Sequence, residues 1–177
     1  APSQFPLGET TVTWTVTDNS GNVGTDFQLI TVKDNVAPTI TAPQTITVNA
    51  DSGACVATGV SLGSPITGDN CSVHLIENNA PTSFFIGSTT ITWSVTDGSG
   101  NTAVAEQIIT VKDAEAPKIQ IDQNVVVNTD PDSCIASNVD LGSHSFTDNC
   151  GTVLIENDAP PTYPIGTTTV TWTATDE

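Results

Sequence analysis

The side chains able to do chemistry in this sequence are oxygen ligands and thiols. Asp34 and Asn35 sit in one short connector, and Asp113 and Glu115 in another. Asp97 and Asn101 bracket a turn cluster, and Asp176 closes a stretch that copies the one before Asp97. Ca²⁺ takes about six to eight hard oxygen ligands at about 2.3–2.6 Å, so acids gathered at chain turns suit it. Asp and Asn are also ordinary turn formers, because their side chains bond the backbone two residues on. For Asp97 and Asn101 the turn-former reading is the stronger, with the cation as the other. The connector acids, repeated beside a like-charged turn, point more toward a cation. Asp69 and Asp148, each in an Asp-Asn-Cys loop, are second-rank candidates.

The thiols are Cys55, Cys71, Cys134 and Cys150. An even number in a short, strand-rich chain favours disulfides and an oxidising compartment. Cys55 and Cys71 lie too far apart for a zinc knuckle. The histidines, His74 and His144, are not equivalent in the repeat described below, and neither receives a role. No nucleophile-elbow pattern is present. Paired carboxylates for glycoside hydrolysis would need a cleft that units this small hardly offer. The expectation is a non-enzyme.

Charge excludes further classes. The sequence has 177 residues, with 20 acids against three lysines and a formal charge of −17. Nothing here could neutralise nucleic-acid phosphate or hold an anionic membrane. Such a chain repels itself, and divalent cations are its natural counter-charges. No apolar run is long enough to insert in a membrane as a helix.

These side chains must be positioned by strands. Thr, Val and Ile abound and suit a pleated surface, and no stretch shows a helical apolar period. A step of 79 residues relates Trp14 to Trp93 and Trp172, Asp34 to Asp113, Cys55 to Cys134 and Cys71 to Cys150. Thr89–Asp97 (TTITWSVTD) repeats Thr10–Asp18 (TTVTWTVTD) and Thr168–Asp176 (TTVTWTATD). The expected organisation is the C-terminal part of one repeat (1–35), a complete repeat (36–114) and a repeat lacking its last strand (115–177), as a window on a longer array.

Strands are expected over 45–49, 55–62, 73–76, 89–96 and 102–112, the last two as a hairpin. Ile91, Trp93 and Val95 share one face, so tryptophan at this position reads as core rather than as a sugar platform. The fold class is all-β, as tandem immunoglobulin-like β-sandwich repeats of 79 residues. In that topology a connector enters a repeat at the end of its last hairpin turn. Asp34 and Asn35 would then approach Asp97 and Asn101, and Asp113 and Glu115 would approach Asp176.

The motifs resemble a known family. Asp-x-x-Ala-Pro-x-Ile at Asp34 and Asp113, the Asp-Asn-Cys loops, the Phe84-to-Trp93 stretch and Thr96–Asn101 are together similar to the hyalin repeat. The resemblance covers the whole chain. It implies an extracellular module, repeated in large adhesive or matrix proteins that include giant bacterial surface adhesins. Typical members carry two further cysteines, in their first and last strands. Ala42 and Ala105 stand at those positions here. The resemblance then implies Cys55–Cys71 and Cys134–Cys150 pairs.

The function expected is a structural or adhesive extracellular repeat, forming the rod or filament stalk of a bacterial surface adhesin. Ca²⁺ would sit at its repeat junctions. Its partners would be neighbouring repeats, surface glycans or other filament subunits. Connectors too short to flex suit a rod. The alternatives are a carbohydrate-binding or spacer module of a secreted polysaccharide-degrading enzyme, and a self-associating matrix protein. A sugar site would need exposed aromatics, for which Phe84, Phe85 and Tyr163 are the candidates.

Overall fold

A computed structural model describes residues 2–121 and 124–176, and the described residues form strands and no helix. In chain order the strands are β1 (Gly8–Thr17), β2 (Val23–Val32), β3 (Thr39–Thr41), β4 (Ile46–Asn49), β5 (Val56–Thr58) and β6 (Ile66–Gly68). They continue as β7 (Val73–Asn78), β8 (Ser83–Phe85), β9 (Gly87–Asp97), β10 (Thr102–Lys112) and β11 (Lys118–Ile121). The last five are β12 (Ile135–Ser137), β13 (His144–Thr147), β14 (Val153–Asn157), β15 (Thr162–Pro164) and β16 (Trp172–Asp176). The chain is all-β, as its β-branched composition requires.

Two compact units divide these strands, and β9 and β10 contribute residues to both. The first comprises Ala1–Thr45, Ser61–Ala80 and Thr90–Ile108. In it β1 and β2 form a hairpin from Gly8↔Val32 to Thr17↔Val23. β3 pairs antiparallel with β6, and β7 pairs antiparallel with β9 through a register shift between Val73 and Leu75. The β9–β10 turn closes with the Asp97 amide donating to the Asn101 carbonyl at 3.0 Å. Period-2 alternation along β9 buries Ile91, Trp93 and Val95 and leaves Thr92, Ser94 and Thr96 half-buried.

Buried Trp93 needs an acceptor for its indole N–H, and Gln107 of β10 provides one. Trp93 Nε1 donates to Gln107 Oε1 at 3.0 Å. Gln107 Nε2 in turn donates to the carbonyls of Gln44 at 2.9 Å and Leu62 at 3.0 Å. Trp14 and Gln28 repeat the first contact at 3.4 Å, yet Trp14 is 58% exposed. A two-stranded hairpin has no second layer to bury a face against. The core reading of tryptophan therefore holds at Trp93 and not at Trp14, while Trp172 is half-buried with His144 against it at 4.5 Å between ring centroids.

The second unit comprises Ile46–Val60, Pro81–Thr89 and Ile109–Glu177. β4 runs parallel to the end of β10, from Ile46↔Ile109 to Asn49↔Lys112, and buries Ile109 and Val111. β5 and β8 pair through Ala57↔Phe84, both buried. β11 pairs with β13, β12 with β15 and β14 with β16, all antiparallel.

The expected strand at 55–62 is only Val56–Thr58, because Gly59 turns the backbone at φ 63°. β3, β6 and β8 were not anticipated; each has three residues, too few for alternation to show. Residues 125–128, one repeat step after β4, form no strand. Val126 there is 94% exposed.

Candidate metal-binding clusters and a disulfide

Asp34 lies just after β2, Asp69 in the loop between β6 and β7, and Asp97 at the end of β9. A carboxylate oxygen from each lies within 4.8 Å of the others. In the second unit Asp113 follows β10, Asp148 lies in the β13–β14 loop and Asp176 ends β16. These three satisfy the same 4.8 Å limit. Each member of the second cluster lies 79 residues after its counterpart in the first.

Local backbone geometry aims the carboxylates. Asp69 Oδ2 accepts the amides of Cys71 and Ser72, each at 2.8 Å. Asp34 Oδ1 accepts the Val36 amide at 3.1 Å and Asn70 Nδ2 at 3.2 Å. Asp97 Oδ1 accepts the amides of Ser99 and Asn101 at 2.8 Å, while its Oδ2 accepts Asn101 Nδ2 at 2.7 Å. Asp18 makes the same three contacts with Ser20 and Asn22 in the β1–β2 turn. Asp97 thus fills a turn-forming role and also stands in the cluster.

What those contacts leave over bears on a metal. Asp34 Oδ2 and Asp69 Oδ1 are buried without any hydrogen-bond partner, and so are Asp148 Oδ1 in the second cluster and Asn149 Oδ1 beside it. Buried lone pairs without donors are costly, and a hard cation would satisfy them. Among the described residues the single ion pair is Lys118–Glu115, so no protein cation neutralises either cluster.

Hydrogen bonding holds the Asp34 carboxyl below the usual aspartate range, chiefly through the Val36 amide and then the Asn70 side chain. For Asp97, burial is the largest influence and pushes its pKa up. The Asn101 side chain and the Asn101, Ser99 and Gly100 amides outweigh it, and the net shift is downward. The Cys71 thiol is pushed up, first by the Asp34 carboxylate beside it. The carboxylates of Asp34 and Asp97 are therefore held in the charged form that suits a divalent cation.

Several expectations change here. Asp34 meets Asp97 as expected, and Asn101 Nδ2 also reaches the Asp34 carbonyl at 3.4 Å. Asp113 meets Asp176. Asn35 is exposed. Glu115 does not join the acids: its Oε2 accepts the Gly53 amide at 2.8 Å, and its Oε1 pairs with Lys118 at 3.3 Å. Asp69 and Asp148, ranked second, are full members.

The expected pairings Cys55–Cys71 and Cys134–Cys150 are wrong. The disulfide joins Cys55 to Cys150, 95 residues apart, with Cα atoms 5.4 Å apart. The Cα spacing is ordinary for a disulfide. The loop before β5 packs against the Asp148-Asn149-Cys150 loop, where Asn149 Nδ2 donates to the Ala54 carbonyl at 3.2 Å. Cys71 is unbonded among the described residues, and Asp69 beside it faces Asp34. The repeated Asp-Asn-Cys triplet ties each loop acid to a cysteine but carries no signal for that cysteine's partner.

Among the aromatic candidates Phe84 is buried, Tyr163 is half-buried and Phe85 is 70% exposed. His74 and His144 lie outside both clusters.

No protein-family model matches the chain. Hyalin of Strongylocentrotus purpuratus is 34% identical over 179 residues, covering 95% of this chain and 15% of that protein. Hyalin of Lytechinus variegatus is 28% identical over 190 residues, covering 97% of this chain and 34% of that protein. The chain therefore spans a minor part of each of these relatives. The similarity supports a hyalin-repeat domain.

Proposed function

We propose that this chain is a structural or adhesive extracellular module, built from tandem 79-residue repeats whose junctions hold Ca²⁺. One observation carries the reading: a connector acid, a loop acid and a strand-end acid converge twice, one repeat step apart. Asp34, Asp69 and Asp97 would hold one ion, and Asp113, Asp148 and Asp176 the other. The ion would fix each connector against the repeat that follows it, so that the array projects a binding tip. The similarity to two hyalins supports the extracellular and non-enzymatic parts of this reading. The finer proposal is the stalk of a bacterial surface adhesin, with neighbouring repeats, surface glycans or other filament subunits as partners. The complete repeat is taken as 36–114, flanked by parts of its neighbours at 1–35 and 115–177.

Antibody fragments raised against this chain provide the test. They should label intact, unpermeabilised cells or their matrix, and should reduce attachment to a surface. Labelling that requires permeabilisation would defeat the reading.

A further inference from the structure

Cys71 and Cys134 are exposed and unbonded among the described residues. Each is the counterpart, at the 79-residue step, of a bonded cysteine: Cys134 of Cys55, and Cys71 of Cys150. We propose that both are halves of further disulfides between successive repeats of one polypeptide. Cys71 bonds to the Cys55 counterpart in a preceding repeat, and Cys134 bonds to the Cys150 counterpart in a following one. This rests on the tandem-array reading, and it makes the array a covalent ladder with one cross-link per junction.

Both halves are already formed. Before β5, the Asp51 amide donates to the Val56 carbonyl at 2.7 Å and the Ala54 amide to the Asp51 carbonyl at 2.9 Å. Around Cys134 the Asp130 amide donates to the Ile135 carbonyl at 2.8 Å and the Ser133 amide to the Asp130 carbonyl at 3.2 Å. Thr58 Oγ1 and Ser137 Oγ each donate to the acid that opens their turn, Asp51 or Asp130, at 2.7 Å. Even the backbone strain is kept. Gly53 has φ 72°, and its counterpart Asp132 holds φ 59° without being glycine. Cys134 is thus presented by the same turn that delivers Cys55 to its bond.

The other half matches too. Asp148 Oδ2 accepts the Cys150 amide at 2.8 Å, as Asp69 Oδ2 does for Cys71. Asn149 Nδ2 donates to Cys150 Sγ at 3.0 Å, and Asn70 Nδ2 to Cys71 Sγ at 3.3 Å. The difference lies in what covers the loop. Asn149 also reaches the Ala54 carbonyl, on the turn that brings Cys55, and Cys150 is 8% exposed. Asn70 and Cys71 are both exposed, with no such turn over them.

Each bond forms by exchange with a disulfide such as oxidised glutathione. The two cysteine sulfurs lose two electrons and two protons as they join. The donor disulfide gains both and leaves as two thiols.

The test uses intact protein taken from its native compartment, alkylated at once and digested without reduction. The Cys55–Cys150 peptide pair is the internal control. The ladder predicts that the Cys71 peptide is joined to a peptide from a preceding repeat, and the Cys134 peptide to an Asp-Asn-Cys peptide from a following one. In a Cys71→Ser variant, one upstream thiol should become alkylatable while Cys55–Cys150 persists. Flanking repeats present, but Cys71 and Cys134 alkylated or paired within their own repeats, would overturn the ladder and leave the array. Intact protein without flanking repeats would overturn the array reading and the ladder with it.

Discussion

Gln107 accepts the Trp93 indole N–H at 3.0 Å, with the glutamine 1% and the tryptophan 6% exposed. The same amide donates to two backbone carbonyls, Gln44 and Leu62. Replacing Gln107 with Leu keeps much of the volume but strands three polar groups. It should cost about 1–3 kcal/mol, the usual penalty for burying unpaired groups. Trp93→Ala should cost about 3–5 kcal/mol by leaving a cavity. Trp14→Ala, on the exposed hairpin, should stay within about 0.5 kcal/mol of the parent, as exposed sites usually do. Denaturant melts of the three variants check this order. Equal losses at Trp14 and Trp93 would contradict the burial argument.

Acid should destabilise the metal-free protein. Asp34 and Asp97 are held below the ordinary aspartate value of 3.8, and Glu115 below the ordinary glutamate value of 4.5. For Glu115 the Gly53 amide is the first cause and Lys118 the second. A carboxyl whose folded pKa is depressed contributes stability that is fully present above its unfolded pKa. That contribution is lost as pH falls through the lower folded value. Melting temperature in chelator should therefore hold above about pH 5 and fall steadily below about pH 4, the unfolded carboxylate range. The decline should be shallower in Asp97→Asn. A melting temperature that rises on acidification would contradict the direction.

Much of this was legible in the sequence. β9 and β10 showed because their alternation is long and regular, and Trp93 fell on the buried face for the same reason. The meeting of Asp34 with Asp97, and of Asp113 with Asp176, followed from topology. What could not be read is long-range and lies in loops. Cys55 pairs with a cysteine 95 residues away, and no local pattern encodes that choice. Glu115 looked like a ligand by charge, but the Gly53 amide competes for its carboxylate. β3, β6 and β8 take their form from pairing partners and have no periodicity of their own.

The rod proposal makes its own prediction. Small-angle scattering from the chain should give an extended, narrow distribution with calcium. Chelation should broaden it, because unscreened carboxylates would then face one another across each connector. The Asp34→Asn, Asp113→Asn double variant should resemble chelated protein with or without the ion. An extended profile indifferent to chelation would retain the rod and remove the metal from it. A compact profile in both conditions would remove the rod.

If the two carboxylate clusters are calcium sites, calorimetric titration of calcium into the chelator-stripped chain should find two ions bound per chain, one for each cluster. Asp69→Asn should abolish one and Asp148→Asn the other, since each removes the charge of a carboxylate that has a buried, unpartnered oxygen. Glu115→Gln should leave both, because that side chain is engaged elsewhere. Saturation should also raise the melting temperature, by roughly 2.7 kcal/mol of stabilisation per site at a hundredfold excess over Kd. No calcium uptake, or uptake that survives Asp69→Asn and Asp148→Asn together, would contradict the account.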